Sequence, residues 1–359
     1  MVEKKNQHYV PQFYFRFFSH NGKDICIFNL NNKKHFVGPF KNQSSKDYFY
    51  HKGKELEEEF EKIENSQREA LIKLIRGLSF KDLSKEEYIE LLRFITFQST
   101  RTNYSKRSVN QTTEYFVSEF IKPLMLQDKD LVSKVGKETI KDIPITFPAD
   151  HLINISVGIQ SPILISDLIP VLLINKTDFE FIFSDNPIIL YNLYFCKDTF
   201  ESHIGFQSPG LQIYCPLSKN LCLLLFDPKT YKINGLKNNT LEIGDAEDIK
   251  KINELQFHRC DEQIYYSSQI QENNVNNLAL EFFKNHIKKG ELVNLRKLRV
   301  LNKPNSEVLM TGEKNINEEI KPSFLDIKNI GEDLERVRNQ KLVDIFNSFF
   351  EKDKNTNPK

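Results

Sequence analysis

Hydrophobic positions change their period along the chain, and the changes divide it. Over residues 54–76, Leu56, Phe60, Ile63, Ala70, Leu71 and Leu74 recur near helical spacing, and Gly77 supplies a stop. The opposite face is acidic, with Glu57, Glu58, Glu61 and Glu64. Ser84, followed three positions later by Glu87, reads as a capping box that opens a second helix. Its apolar stripe is Tyr88, Leu91, Leu92, Phe94 and Ile95. The pattern runs past Arg101 and resumes through Tyr115, Phe116, Phe120 and Ile121 before Pro123, so residues from about 54 to 127 predict a helical block.

Shorter apolar runs predict strands on either side of that block. Residues 24–30 and 35–40 flank the polar turn Asn31-Asn32-Lys33-Lys34. Residues 171–174 and 179–183 read as a hairpin around Lys176-Thr177-Asp178, and 211–217 with 221–226 as another around Ser218-Lys219-Asn220. A helix capped by Asp245 is expected over 245–260, a strand over 263–267 and a short helix over 276–286. Beyond residue 300 the composition drifts to Lys, Asn, Glu and Ser, until a last amphipathic helix over 333–350 carries Leu334, Val337, Leu342, Ile345, Phe346 and Phe349. The expected class is α+β: a helical block packed with a mostly antiparallel sheet in a single large domain, residues 1–300. A variable polar linker and the C-terminal helix, residues 301–359, follow it. That helix would dock on the body, on a protein partner or on a second copy of the chain.

Composition narrows the function classes. Lys and Arg total 50 against 49 Asp and Glu, a net charge of +1, so no global field draws in nucleic acid and any such contact is local. The cysteines Cys26, Cys196, Cys215, Cys222 and Cys260 are odd in number and form no C-x-x-C pair, which argues against a disulfide framework and a cysteine zinc site. The longest apolar stretch, residues 162–174, is broken by Ser166, Asp167 and Pro170 and is too short to span a bilayer. With a polar start that lacks a secretory pattern, a cytoplasmic protein without membrane contact is expected. P-loop, G-x-G-x-x-G, G-x-S-x-G, H-E-x-x-H and kinase motifs are all missing.

The candidate chemistry lies in three separated stretches. Asn6-Gln7-His8-Tyr9-Val10-Pro11-Gln12 precedes Phe13-Tyr14-Phe15-Arg16-Phe17-Phe18, an aromatic run that must be buried although the segment carries a histidine, glutamines and an arginine. His8 suits proton transfer near neutrality. Its bland counterpart is a core histidine bonded to a carbonyl. Gln98 and Arg101 share a helix face, and Arg101 offers a planar fork for phosphate or carboxylate, unless that face is simply solvated. Phe183-Ser184-Asp185-Asn186-Pro187 projects two polar side chains just past an apolar strand; the alternative is a turn in which Asp185 binds backbone. The Glu57, Glu61 and Glu64 stripe could ligate a metal but more commonly is a wet helix face. His258 and Arg259 are weaker candidates.

The opening motif, the Gln98–Arg101 pair and the central Ser184-Asp185-Asn186-Pro187 together resemble a bacterial family, a domain of unknown function whose members open on Q-H-Y-V-P-Q and carry a central S-D-N-P. The likeness spans residues 6–268 and implies a place among accessory proteins of bacterial defence and toxin loci. From the residues themselves, His8, Gln12, Gln98, Arg101, Asp185 and Asn186 are expected to converge in one cleft. That inventory suits phosphodiester cleavage, with RNA as substrate. His8 would move the proton, Arg101 would stabilise developing charge and Asp185 would orient His8 or a metal-bound water, while Gln7, Gln12, Gln98 and Asn186 would hold the substrate. No residue is assigned as a metal ligand; Mg²⁺ or Mn²⁺ is compatible with this chemistry. The alternative is a non-catalytic sensor that grips a nucleotide or phosphate ligand within a defence complex.

Overall fold

The computed structural model describes residues 6–50, 55–145, 147, 150–199, 201–285, 290–299, 307–329 and 336–355. Strand β1 (Asn6–His8) leads through Pro11 into the single-turn helix α1 (Gln12–Arg16). β2 (Asp24–Asn29) and β3 (Lys34–Pro39) form the expected hairpin, and β4 (Ser45–Asp47) pairs antiparallel with β1. The helical block begins with α2 (Glu55–Gly77) and α3 (Lys85–Thr100), whose start is the Ser84–Glu87 capping box with both reciprocal bonds formed. Thr102 then caps α4 (Asn103–Phe116), so Arg101 sits in the break between two helices rather than along one face.

Helices α5 (Lys122–Gln127), α6 (Lys129–Val135), α7 (Lys137–Asp142) and α8 (Asp150–Gln160) extend the helical region well past residue 127. None of these four shows a clean polar and apolar division: α6 and α7 are short and mostly polar, and α8 is apolar on most sides.

Strands β5 (Ile169–Asn175), β6 (Phe183–Ser184), β7 (Ile189–Tyr191), β8 (Gln212–Ser218), β9 (Leu221–Phe226), β10 (Tyr231–Ile233) and β11 (Thr240–Ile243) follow. Then come α9 (Ala246–Arg259), β12 (Gln263–Tyr266), α10 (Glu272–Asn285), β13 (Val293–Arg299), β14 (Glu307–Glu313), β15 (Leu325–Ile327) and α11 (Gln340–Asn355). The largest sheet has the order β11-β5-β9-β8-β7, antiparallel except for the β11–β5 pair; a four-stranded sheet is antiparallel, β3-β2-β12-β6; β1-β4, β10-β15 and β13-β14 are two-stranded. The fold is α+β with one large domain.

The 171–183 stretch is not a hairpin. β5 pairs with β9, whereas β6 belongs to the four-stranded sheet, beside β12. Asn175 turns the chain by donating from Nδ2 to Phe179 O and accepting the Thr177 amide. Helix α9 then takes over the backbone: Asn253 Oδ1 accepts Ile182 N, its Nδ2 donates to Glu180 O, and Gln256 Oε1 accepts Ser184 N. Side chains of a helix thus stand in for a partner strand and satisfy buried amides. Helix α10 starts earlier than expected, at Glu272, and His286 lies outside the described residues.

The large sheet is buried on both faces, which is why its strands read as continuous apolar runs. Leu172, Ile213, Leu223 and Leu225 pack with the N-terminal aromatics and the helical block. Val171, Leu173, Tyr214, Cys222 and Leu224 pack against α9 and, from the C-terminal segment, Ile316, Ile320, Phe324 and Leu325. The stretch expected as polar linker therefore includes β14, β15 and core residues. α11 begins later than expected, at Gln340, because Arg338 is buried in a two-pronged pair with Asp167 and donates to the carbonyls of Leu164, Phe206 and Ser208. Leu334 lies outside the described residues. Among the described residues, no helix is long and apolar enough to cross a membrane.

Candidate functional site

The three motifs do meet, and aromatic packing brings them together. Phe183, just ahead of Ser184-Asp185-Asn186, contacts Tyr14, Phe15 and Phe18 with ring centroids 4.5–5.2 Å apart. Tyr265 on β12 closes the cluster against Phe15 at 4.9 Å. α3 approaches from the other side, where Gln98 Nε2 donates to Tyr9 O at 2.9 Å.

Arg101 is the hub. Only 2% exposed, it donates from Nε to the Tyr50 hydroxyl (3.0 Å), from Nη1 to Glu64 Oε1 (2.8 Å) and from Nη2 to His8 O (2.7 Å). Phe97 stacks under the guanidinium at 4.6 Å. Tyr50 completes a ring of bonds by donating to His8 O at 3.0 Å, and its backbone N–H donates to Gln7 Oε1 at 2.8 Å. Burial pushes the Tyr50 phenol up to about 12 against the pull of Arg101, so it remains a donor. The described residues account for three of the five N–H groups that a guanidinium offers.

A cavity of about 240 Å³ opens beside this hub. His8, Gln12 and Arg101 line it, together with Arg16 of α1 and with Glu57, Glu61, Glu64 and Arg68 of α2. His8 Nε2 donates to Lys41 O at 2.9 Å, so the ring carries a proton on Nε2. The Gln12 amide is 3.5 Å from the same ring. The polar stripe of α2 is thus a cavity wall rather than a simple wet face, and its residues recur every three or four positions because the helix period aligns them.

The remaining candidates serve other ends. Asp185 Oδ1 accepts the Asp261 amide (2.7 Å), and Oδ2 accepts those of Glu262 (2.7 Å) and Gln263 (3.1 Å). It holds the turn between α9 and β12 and does not line the cavity, so the expected single cleft is corrected at this point. Asn186 joins Thr102 Oγ1 (2.9 Å) to Arg259 O (3.3 Å), linking the α3–α4 break to the end of α9. Gln7 and Gln98 are buried and bind backbone.

Arg16 stood in the opening motif without a role assigned to it; Tyr50 and Arg68 carried no motif signal, and the helical spacing of Arg68 from Glu57, Glu61 and Glu64 was the available clue. His151 was also missed. It is buried against Tyr50 and Phe49, and neither ring nitrogen has a hydrogen-bond partner among the described residues. Burial first, then Lys106 and Arg101, push its pKa from 6.5 down to about 3, so it is neutral.

A family model described as "Protein of unknown function (DUF4238)" matches residues 6–269. No curated protein and no solved structure matches the chain.

Proposed function

The chain belongs to the DUF4238 family of proteins of unknown function, and from that premise we propose that it binds a nucleotide or a comparably small phosphate-bearing ligand in the cavity lined by His8, Gln12 and Arg101. The observation that carries this reading is Arg101: a buried guanidinium held rigid by Tyr50, Glu64 and His8 O, with N–H groups to offer an anion. Size and charge then select the ligand. At about 240 Å³ the cavity falls just under the roughly 300 Å³ at which drug-sized pockets begin, which suits one nucleotide unit better than a folded polynucleotide. Glu57, Glu61 and Glu64 oppose Arg16, Arg68 and Arg101, so the walls favour a ligand with donors as well as a phosphate over a bare polyanion. Amino and hydroxyl groups of a nucleotide meet that description.

Phosphodiester cleavage, with RNA as substrate, is the second reading. What favours it is that the imidazole of His8 and the guanidinium of Arg101 line the same cavity. His8 would move the proton and Arg101 would stabilise the phosphorane-like charge, but Asp185 would act only through the turn that it holds. A defence or toxin role belongs to this proposal through the family resemblance alone.

Incubation with nucleotides, labelled RNA and labelled DNA, with and without Mg²⁺ or Mn²⁺, separates the readings. Thermal stabilisation by a nucleotide without products supports binding. Products that disappear in His8→Ala support cleavage. Neither stabilisation nor products refutes both.

A further inference from the structure

We infer that Glu254, His258 and Glu318 form a binding site for a divalent transition metal of the zinc or manganese class. Their ligating atoms all lie within 4.8 Å of one another. Glu254 and His258 are four apart near the end of α9 and so share a helix face. Glu318 reaches them from the loop between β14 and β15, with Oε2 3.8 Å from His258 Nε2. Bonds of about 2.1 Å meeting at a tetrahedral angle separate two ligand atoms by roughly 3.4 Å, so a small side-chain adjustment closes the site around an ion.

The donor set of two carboxylates and one imidazole brings negative charge and a nitrogen lone pair to one point, as a divalent ion requires. One imidazole with two carboxylates suits Zn²⁺ or Mn²⁺ better than the all-oxygen preference of Mg²⁺ or Ca²⁺.

The surroundings hold the ligands in place. Tyr191 donates its hydroxyl to Glu318 O (2.6 Å) and accepts Ile320 N (3.0 Å), pinning the loop at its ligand and two residues after it. Ser323 ties the same loop to α9 through two 2.6 Å bonds to Asp248. Phe282 meets the His258 ring edge-on at 5.1 Å and restricts its plane. His258 and Glu318 both line a cavity of about 570 Å³ that also holds Arg107, Arg259 and Lys314. Three protein ligands leave a coordination position for water or an anionic substrate. Glu318 lies beyond residues 6–269, so the site exists where the C-terminal segment joins the family domain.

The site shares no residue with the His8–Gln12–Arg101 cavity, so its test is separate. Tag-free full-length protein, stripped with a chelator, is titrated with Zn²⁺, Mn²⁺ and Mg²⁺ by calorimetry and thermal melting. One Zn²⁺ or Mn²⁺ per chain should bind and raise Tm, with Mg²⁺ at equal concentration giving no shift. The near-isosteric variants Glu254→Gln and Glu318→Gln should each weaken binding at least tenfold while keeping the wild-type circular dichroism spectrum. Absence of saturable binding, equal binding of Mg²⁺, or undiminished binding in Glu318→Gln would overturn the inference.

Discussion

Replacing Asp185 by alanine would leave the amides of Asp261, Glu262 and Gln263 without their acceptor. A buried amide deprived of a charged partner is costly, so Asp185→Ala should lose on the order of 3–5 kcal/mol, read as a lower urea midpoint at unchanged slope. A purely catalytic aspartate would leave that midpoint where it was. His151 gives a pH signature. Above pH 6.5 the ring is neutral in both folded and unfolded chains; below it, the unfolded chain takes a proton that the folded site refuses until about pH 3. Stability from this group is therefore full above pH 6.5 and is lost as the pH falls toward 3, by up to about 1.4 kcal/mol per pH unit. His151→Phe should flatten that part of the urea midpoint against pH between 7 and 5; an unchanged slope would show that the ring is protonated in the fold. Sequence reading flagged Asp185 yet left turn against site undecided, because both put a carboxylate at a strand end and only the folded chain supplies its partners. His151 escaped because residues 150–160 drew no reading, and its burial by Phe49 and Tyr50 comes from distant sequence.

Helices α3 and α8 cross at Gly158, one helical turn or so before Arg101. A Cβ there would stand 2.9 Å from Thr96 O and 2.1 Å from Thr100 Oγ1. The threonine side chain can rotate away, but the carbonyl belongs to α3 and cannot. Gly158→Ala should therefore destabilise by about 1–3 kcal/mol, measurable as a drop in Tm, and a neutral result would mean that the two helices do not approach this closely. The elements legible in the sequence were those with local signals: the Ser84 capping box, the Asp245 cap, the β2–β3 hairpin and the β8–β9 hairpin. The 171–183 stretch misled because its backbone is satisfied by Asn253 and Gln256, about 70 residues away, and no local pattern encodes that.

Across the molecule, the three motif stretches meet without sharing one cleft, and most of their polar groups bind backbone. Gln7, Gln98, Asp185 and Asn186 join distant segments, while His8, Gln12 and Arg101 face a cavity whose other wall is α2. The C-terminal segment completes the large sheet's second core and carries Glu318 to α9. Composition alone hid this, since residues beyond 300 are polar on average and, among the described residues there, only Asn315, Ile316, Ile320, Pro322, Phe324, Leu325 and Arg338 are buried.

The most direct measurement is calorimetric titration of nucleoside mono-, di- and triphosphates into the wild-type chain and into Gln12→Ala and Arg68→Ala, which alter the cavity wall without removing the Arg101 hub. Saturable binding of at least one nucleotide, weakened tenfold or more in both variants at unchanged Tm, is the expected result. No binding by the wild type, or equal binding by all three proteins, would contradict a ligand site at His8, Gln12 and Arg101.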